Sequence, residues 1–165
     1  MKSHELLCRG PVRFKVEKIL KAMLPGGRFT EVSPLRSRTM SAILAKNNRT
    51  TELRFRMALV RLALSGWVTH ADLQGHPDFY FPAAKLAIFL DGCFWHGCRH
   101  CGHIPKTNSF FWKTKIGRNQ ARDRKNTRAL RKRGFIVVRV WEHAMKEPKT
   151  LQRILNRIQG LITTK

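Results

Sequence analysis

Between Asp91 and Cys101 the chain reads DGCFWHGCRHC, gathering three of its four cysteines and two of its seven histidines into one short stretch. Thiols at that density suit metal ligation in a reducing compartment better than a disulfide framework. Cys98-x2-Cys101 has the spacing of a metal knuckle, and Cys93 lies five residues earlier. A closed tetrahedral zinc needs a fourth ligand, for which His100, His103 and the distant His143 compete. His96 has three readings: ligand, surface residue, or general base able to carry a proton near neutrality. Phe94 and Trp95 are enclosed by these residues, and Trp112 follows in NSFFWKTK. Such rings either fill the core or point outward, where an aromatic on a basic protein stacks on bases or wedges between them.

Acidic residues are scarce, ten in all, so their placement is informative. Asp78 follows His76-Pro77, and Asp91 ends the apolar run KLAIFLD. A hairpin through Pro82 would bring the two together. Carboxylates at strand ends in a basic chain suit magnesium, which takes a few oxygen ligands and can support phosphodiester hydrolysis. The plainer alternative is that both are turn residues, aspartate being common beside proline. Because thiolates select zinc and carboxylates select magnesium, two metals with separate duties are expected.

Charge points to the partner. Thirty-three Lys and Arg against ten Asp and Glu give a formal net charge of +23, and nucleic acid is the polyanion such a chain meets by default. Lys113 to Arg133 holds ten of those cations and a single acid, Asp123. This stretch, with Lys113, Lys115, Arg118 and Arg122, is read as a phosphate track rather than a solvated face. No apolar run approaches the roughly 18 residues of a membrane span, and the first residues lack the apolar core of a secretion signal, so a cytoplasmic protein is expected.

The elements that must position these groups alternate between helix and strand. VRFKVEKILKAM, residues 12 to 23, has helical spacing and is stopped by Pro25-Gly26-Gly27. Leu53, Met57, Val60 and Leu64 form one apolar stripe on a second helix, with Glu52 in its first turn and Gly66 at its end. Short strands are expected at WVTHA, DFYF and KLAIFLD, the last buried on both faces, and another at FIVVRVW. The basic stretch between them is helical with Gly117 as a possible break. Pro148 opens a final helix with Leu151, Ile154, Leu155 and Ile158 on one face. The fold class is α/β, with helices on a mixed central β-sheet.

With the motifs assembled, the chain resembles the very short patch repair (Vsr) DNA mismatch endonucleases. The resemblance runs from Arg36 to Lys146 through RSRTMSAI, GHPDFYF, FLDGCFWHGC, PKTNSFFWKTKIGRNQARDR and VVRVWEH. It implies a domain over residues 36–165 with a restriction-endonuclease-like core and a structural zinc loop, preceded by an extension over residues 1–35. It further implies magnesium-dependent nicking of double-stranded DNA, 5′ of the thymine of a T:G mismatch left by deamination of 5-methylcytosine. Asp78 would bind magnesium with the backbone carbonyl of Leu90, His96 would be the base, and Glu52 would assist. Asp91 stands where some members have histidine, either as an additional metal ligand or in place of a contact to phosphate. Phe94, Trp95 and Trp112 would intercalate beside the mismatch and Met40 would enter from the other side. Cys93, Cys98, Cys101 and His143 would hold zinc, with His100 a possible ligand swap. The nuclease lysine usual after the second acidic position is missing, which increases the need for a histidine base. A nick at an asymmetric lesion requires only a monomer. The alternatives are a nuclease of the same fold cutting both strands of matched DNA, and a zinc-dependent nucleic-acid-binding module without catalysis.

Overall fold

The computed structural model describes residues 49–163 together with Ile19, Ala22, Leu24, Phe29 and Arg38. Met40, the helix expected at 12 to 23 and the extension as a unit lie outside the described residues. A π-helical turn at Arg49–Leu53 leads into α1 (Arg54–Arg61). Strands β1 (Val68–Thr69), β2 (Phe79–Phe81) and β3 (Leu86–Asp91) follow, then the long α2 (Ser109–Lys132) and β4 (Ile136–Trp141). A short α3 (Glu142–Lys146) and the final α4 (Pro148–Thr163) complete the order.

The sheet runs β1-β2-β3-β4, antiparallel in its first two pairings and parallel between β3 and β4. It is therefore mixed, as expected, and α2 belongs to the crossover that a parallel pair requires. Side chains alternate along β3, so both faces need cover. Leu86 and Ile88 join Phe79, Phe81, Val138, Val140 and residues of α1, α3 and α4 in the larger core. Ala87 and Phe89 pack with Leu130 of α2 and Val137 on the opposite face. Asp91 shares parity with Phe89, so it looks toward α2.

Helix α1 corrects the expected stripe. Phe55, Ala58 and Leu59 are buried and Leu62 packs behind them, whereas Leu53, Met57 and Val60 face outward. Two interleaved apolar stripes fit the same stretch, and the one carrying the phenylalanine removes more apolar area from water. The helix also stops before Gly66: Ala63 takes the left-handed conformation, and Leu64 returns to the core from the loop. Gly117 does not break α2, which passes through it with open space where a Cβ would stand. The helical cost of one glycine, about 1 kcal/mol, is small in an element that long. In α4, Leu155 and Ile158 are buried and Leu151 and Ile154 pack beside them, as the periodicity requires.

Candidate active site and metal loop

The antiparallel hairpin of β2 and β3 does join Asp78 to the end of β3. Phe79 pairs with Ile88, and the Leu90 N–H donates to Asp78 Oδ2 at 2.6 Å. Pro77 is fully buried, which fixes the approach of the chain to Asp78. Burial pushes the Asp78 carboxyl up to about 6; the Leu90 N–H opposes this, and the charges of Glu52 and Asp91 reinforce it. Glu52 is buried in the π-helical turn, with His70 Nε2 3.9 Å from its carboxylate. Buried carboxylates that repel one another at the end of a strand make a donor set that fits a hard divalent cation.

His96 lies in a second group. Its Nδ1 is 2.5 Å from Asp123 Oδ2 and 3.5 Å from Asp91 Oδ1. With Nδ1 held by carboxylates, Nε2 is the nitrogen left for chemistry. Burial alone would raise Asp123, yet its carboxyl is held below the usual range by the hydrogen bond and charge of His96 and by Arg139 and Arg122. Helix α2 also clamps the loop backbone. Gln120 Nε2 donates to the carbonyls of His96 and Gly97, and Asn119 Nδ2 to that of Trp95. Asp91, 2% exposed, accepts two bonds from Arg139, Nε to Oδ2 at 2.7 Å and Nη2 to Oδ1 at 2.5 Å. Its oxygens are thus engaged with a guanidinium.

Sequence reasoning gave no role to Asp123 or Arg139. Each had a signal: Asp123 is the lone acid of a basic helix, and Arg139 the lone charge of an apolar strand.

The cysteine loop brings together Cys93, Cys98, Cys101 and His143, whose ligand atoms lie within 4.8 Å of one another. His143 Nδ1 is 3.3, 3.5 and 3.5 Å from the three sulfurs. One nitrogen cannot hydrogen-bond three thiols at once. A tetrahedral zinc with bonds of roughly 2.3 Å to sulfur and 2.0 to 2.1 Å to nitrogen has S–N edges of about 3.5 Å, so the cluster is compatible with that ion. Burial pushes the Cys93 thiol up to about 12, with Cys101 and Cys98 adding to it. Cys98 is also raised by burial, but N–H groups of Cys101 and His100 and the neighbouring thiols bring it below its ordinary value. His100 instead lies with its ring 5.7 Å from that of His143, and His103 lies against Phe94.

Phe94, Trp95 and Trp112 are each half-buried and touch one another, with ring centroids 5.0 to 6.0 Å apart. Phe29 lies parallel to Trp112, and Lys115 Nζ sits 5.4 Å from the Trp95 ring. The fully buried ring of this cluster is Phe111. Lys113, Arg118 and Arg122 are exposed along α2.

A mixed sheet carrying buried carboxylates at a hairpin mouth, beside a Cys3His loop on a strongly basic scaffold, defines the class of restriction-endonuclease-like nucleases with an accessory metal loop. A family model described as DNA mismatch endonuclease Vsr matches residues 31–103. The chain is 37% identical to the DNA mismatch endonuclease Vsr of Escherichia coli K12 over 131 residues, 77% of this chain and 83% of that protein. It is 34% identical to the type II nicking enzyme V.XorIIP of Xanthomonas oryzae pv. oryzae over 77% of this chain and 94% of the relative. Identity to the type II nicking enzyme V.NaeI of Lentzea aerocolonigenes reaches 49%, over 41% of this chain and 40% of that enzyme. The chain belongs to the Vsr family of DNA endonucleases. Among the described residues no helix is long and apolar enough to cross a membrane.

Proposed function

We propose that the protein nicks one strand of duplex DNA on the 5′ side of the thymine in a T:G mismatch, using magnesium, and that it works as a cytoplasmic monomer. The observation that carries this reading is the Asp78 carboxylate, buried, bonded to the Leu90 N–H and within electrostatic reach of Asp91, which itself lies 3.5 Å from His96 Nδ1. Asp78 and the Leu90 carbonyl would hold magnesium, which when bound stabilises charge on the scissile phosphate and lowers the pKa of a bound water. His96 Nε2 takes the proton of the attacking water as its oxygen bonds to phosphorus. The phosphorus–oxygen bond opposite breaks, and the leaving oxygen is protonated from solvent. Asp123 holds the ring for that transfer, and Glu52 assists near the metal-binding carboxylate. Phe94, Trp95 and Trp112, joined by Met40 from the other side, enter the stack at the wobble pair, which costs less to unstack than a matched pair. Zinc on Cys93, Cys98, Cys101 and His143 would brace the loop carrying two of these rings and His96.

The test is strand-labelled T:G and matched duplexes resolved on a denaturing gel. Wild type should nick the thymine strand of the mismatch alone, and Asp78→Ala should lose at least about a thousandfold in rate while still shifting the duplex. Cutting of both strands of matched DNA would favour a restriction-type nuclease. Full activity of Asp78→Ala would remove that residue from the chemistry.

A further inference from the structure

Asp91, His96 and Asp123 place three ligand atoms within 4.8 Å of one another, a second group of the kind that holds a metal. Two carboxylates and an imidazole would take manganese or another divalent ion of the first transition row. A cation is already there. Arg139 gives Nε and Nη2 to the two oxygens of Asp91, and Nη2 also reaches Asp123 Oδ2 at 3.3 Å. Its guanidinium lies 5.1 Å from the centroid of the Phe89 ring, its partner in the parallel register of β3 and β4. Nη1 is buried and has no hydrogen-bond partner among the described residues, so it is not offered to a substrate in this conformation.

We propose that Arg139 is a resident cation that closes the Asp91–His96–Asp123 group to divalent metal, which then binds at Asp78 and not there. The inference rests on the reading of Asp78 as a metal-binding carboxylate. The geometry supports it in three ways. A planar fork takes both oxygens of one carboxylate and reaches the next, which a hydrated divalent ion could enter only by expelling it. Asp91 is almost wholly buried, so it needs a permanent positive partner. The aromatic face at Phe89 favours a cation at that spot and offers no metal ligand. Arg139 is thus a positioning residue: it holds Asp91 away from the magnesium-binding group and restrains Asp123, which holds His96.

The experiment counts Mn2+ bound per chain by electron paramagnetic resonance in full-length, zinc-loaded protein without DNA, and does not depend on nicking. Wild type should bind Mn2+ and Asp78→Ala none. Adding Arg139→Gln to Asp78→Ala should restore about one Mn2+ per chain, which Asp123→Asn should then abolish. Failure of the folded Arg139→Gln variant to gain an ion overturns the proposal. So does an ion bound by the Asp78→Ala protein that Asp123→Asn removes. This second criterion uses chains that retain Arg139 and decides the matter if the glutamine variant does not fold. If wild type bound no Mn2+ at all, the Asp78 reading would fail separately, while the gain in Arg139→Gln would still report on the closed group.

Discussion

Asp78 holds its carboxyl in an energetically uncomfortable state. Its carboxyl is pushed up to about 6, from an ordinary 3.8, by burial and by Glu52 and Asp91. The folded chain therefore holds the Asp78 proton more tightly than the unfolded chain. Between about pH 4 and pH 6 the native state binds more protons, so this group makes stability fall as pH rises, and above 6 the cost is fully present. A divalent cation reverses the preference by favouring the ionised carboxylate. Mg2+ affinity should accordingly weaken about tenfold on going from pH 7.5 to pH 5, because metal and proton compete for one site. Calorimetric titration at the two values checks this. A pH-independent affinity would show that magnesium binds elsewhere. Residue type and spacing made the cysteine cluster legible in the sequence and singled out Asp78 and His96 as candidates with more than one reading open. Asp123 and Arg139 escaped because the role of each is set by what crosses the fold to meet it, and α2 and β4 carry no local pattern that names a partner.

Among the elements, the metal loop is the one whose shape was least readable, since spacing left His100, His103 and His143 equal. His143 is selected because parallel pairing with β4 delivers α3 beside the loop. Two glycines divide the loop's duties. A Cβ on Gly102 would stand 2.4 Å from the Cys98 carbonyl oxygen and 2.7 Å from its nitrogen, both backbone atoms with nowhere to go. Gly97 has φ +61°, and its Cβ would meet Gln120 and Ile116 of α2 at 2.6 and 2.7 Å. Gly102→Ala should therefore hold clearly less than one zinc per chain and melt several degrees lower. Gly97→Ala should keep its zinc but tip His96 off Asp123, lowering nicking about a hundredfold with binding little changed. Metal analysis beside single-turnover rates separates the two; equal zinc loss in both would mean that the clamp by α2 and the cluster form one unit. The same scale explains the error at α1. Periodicity alone offered two stripes, and the choice between them was made by the sheet below, which accepts Phe55 and leaves Met57 outside.

For the molecule as a whole, the proposed reading divides the work of binding DNA between the +23 charge and the aromatic cluster. Phosphate contacts release counterions and are indifferent to sequence, so affinity should fall linearly with salt on logarithmic axes. The exposed Arg118 of α2 would belong to that term. Arg118→Ala should weaken binding to matched and mismatched duplexes by the same factor and lower the salt slope by about 0.9. Trp112 would belong to the other term, because on the proposed reading its half-buried ring, packed against Phe94 and Trp95, acts only where a pair opens. Trp112→Ala should leave the slope alone and reduce the preference for the mismatch about tenfold or more, taking base–aromatic stacking at ~1–3 kcal/mol. Fluorescence anisotropy on both duplexes across a range of salt measures slope and ratio together. If Trp112→Ala changed only the slope, or Arg118→Ala only the ratio, the division between a charged track that holds DNA and a ring cluster that senses the lesion would have to be abandoned.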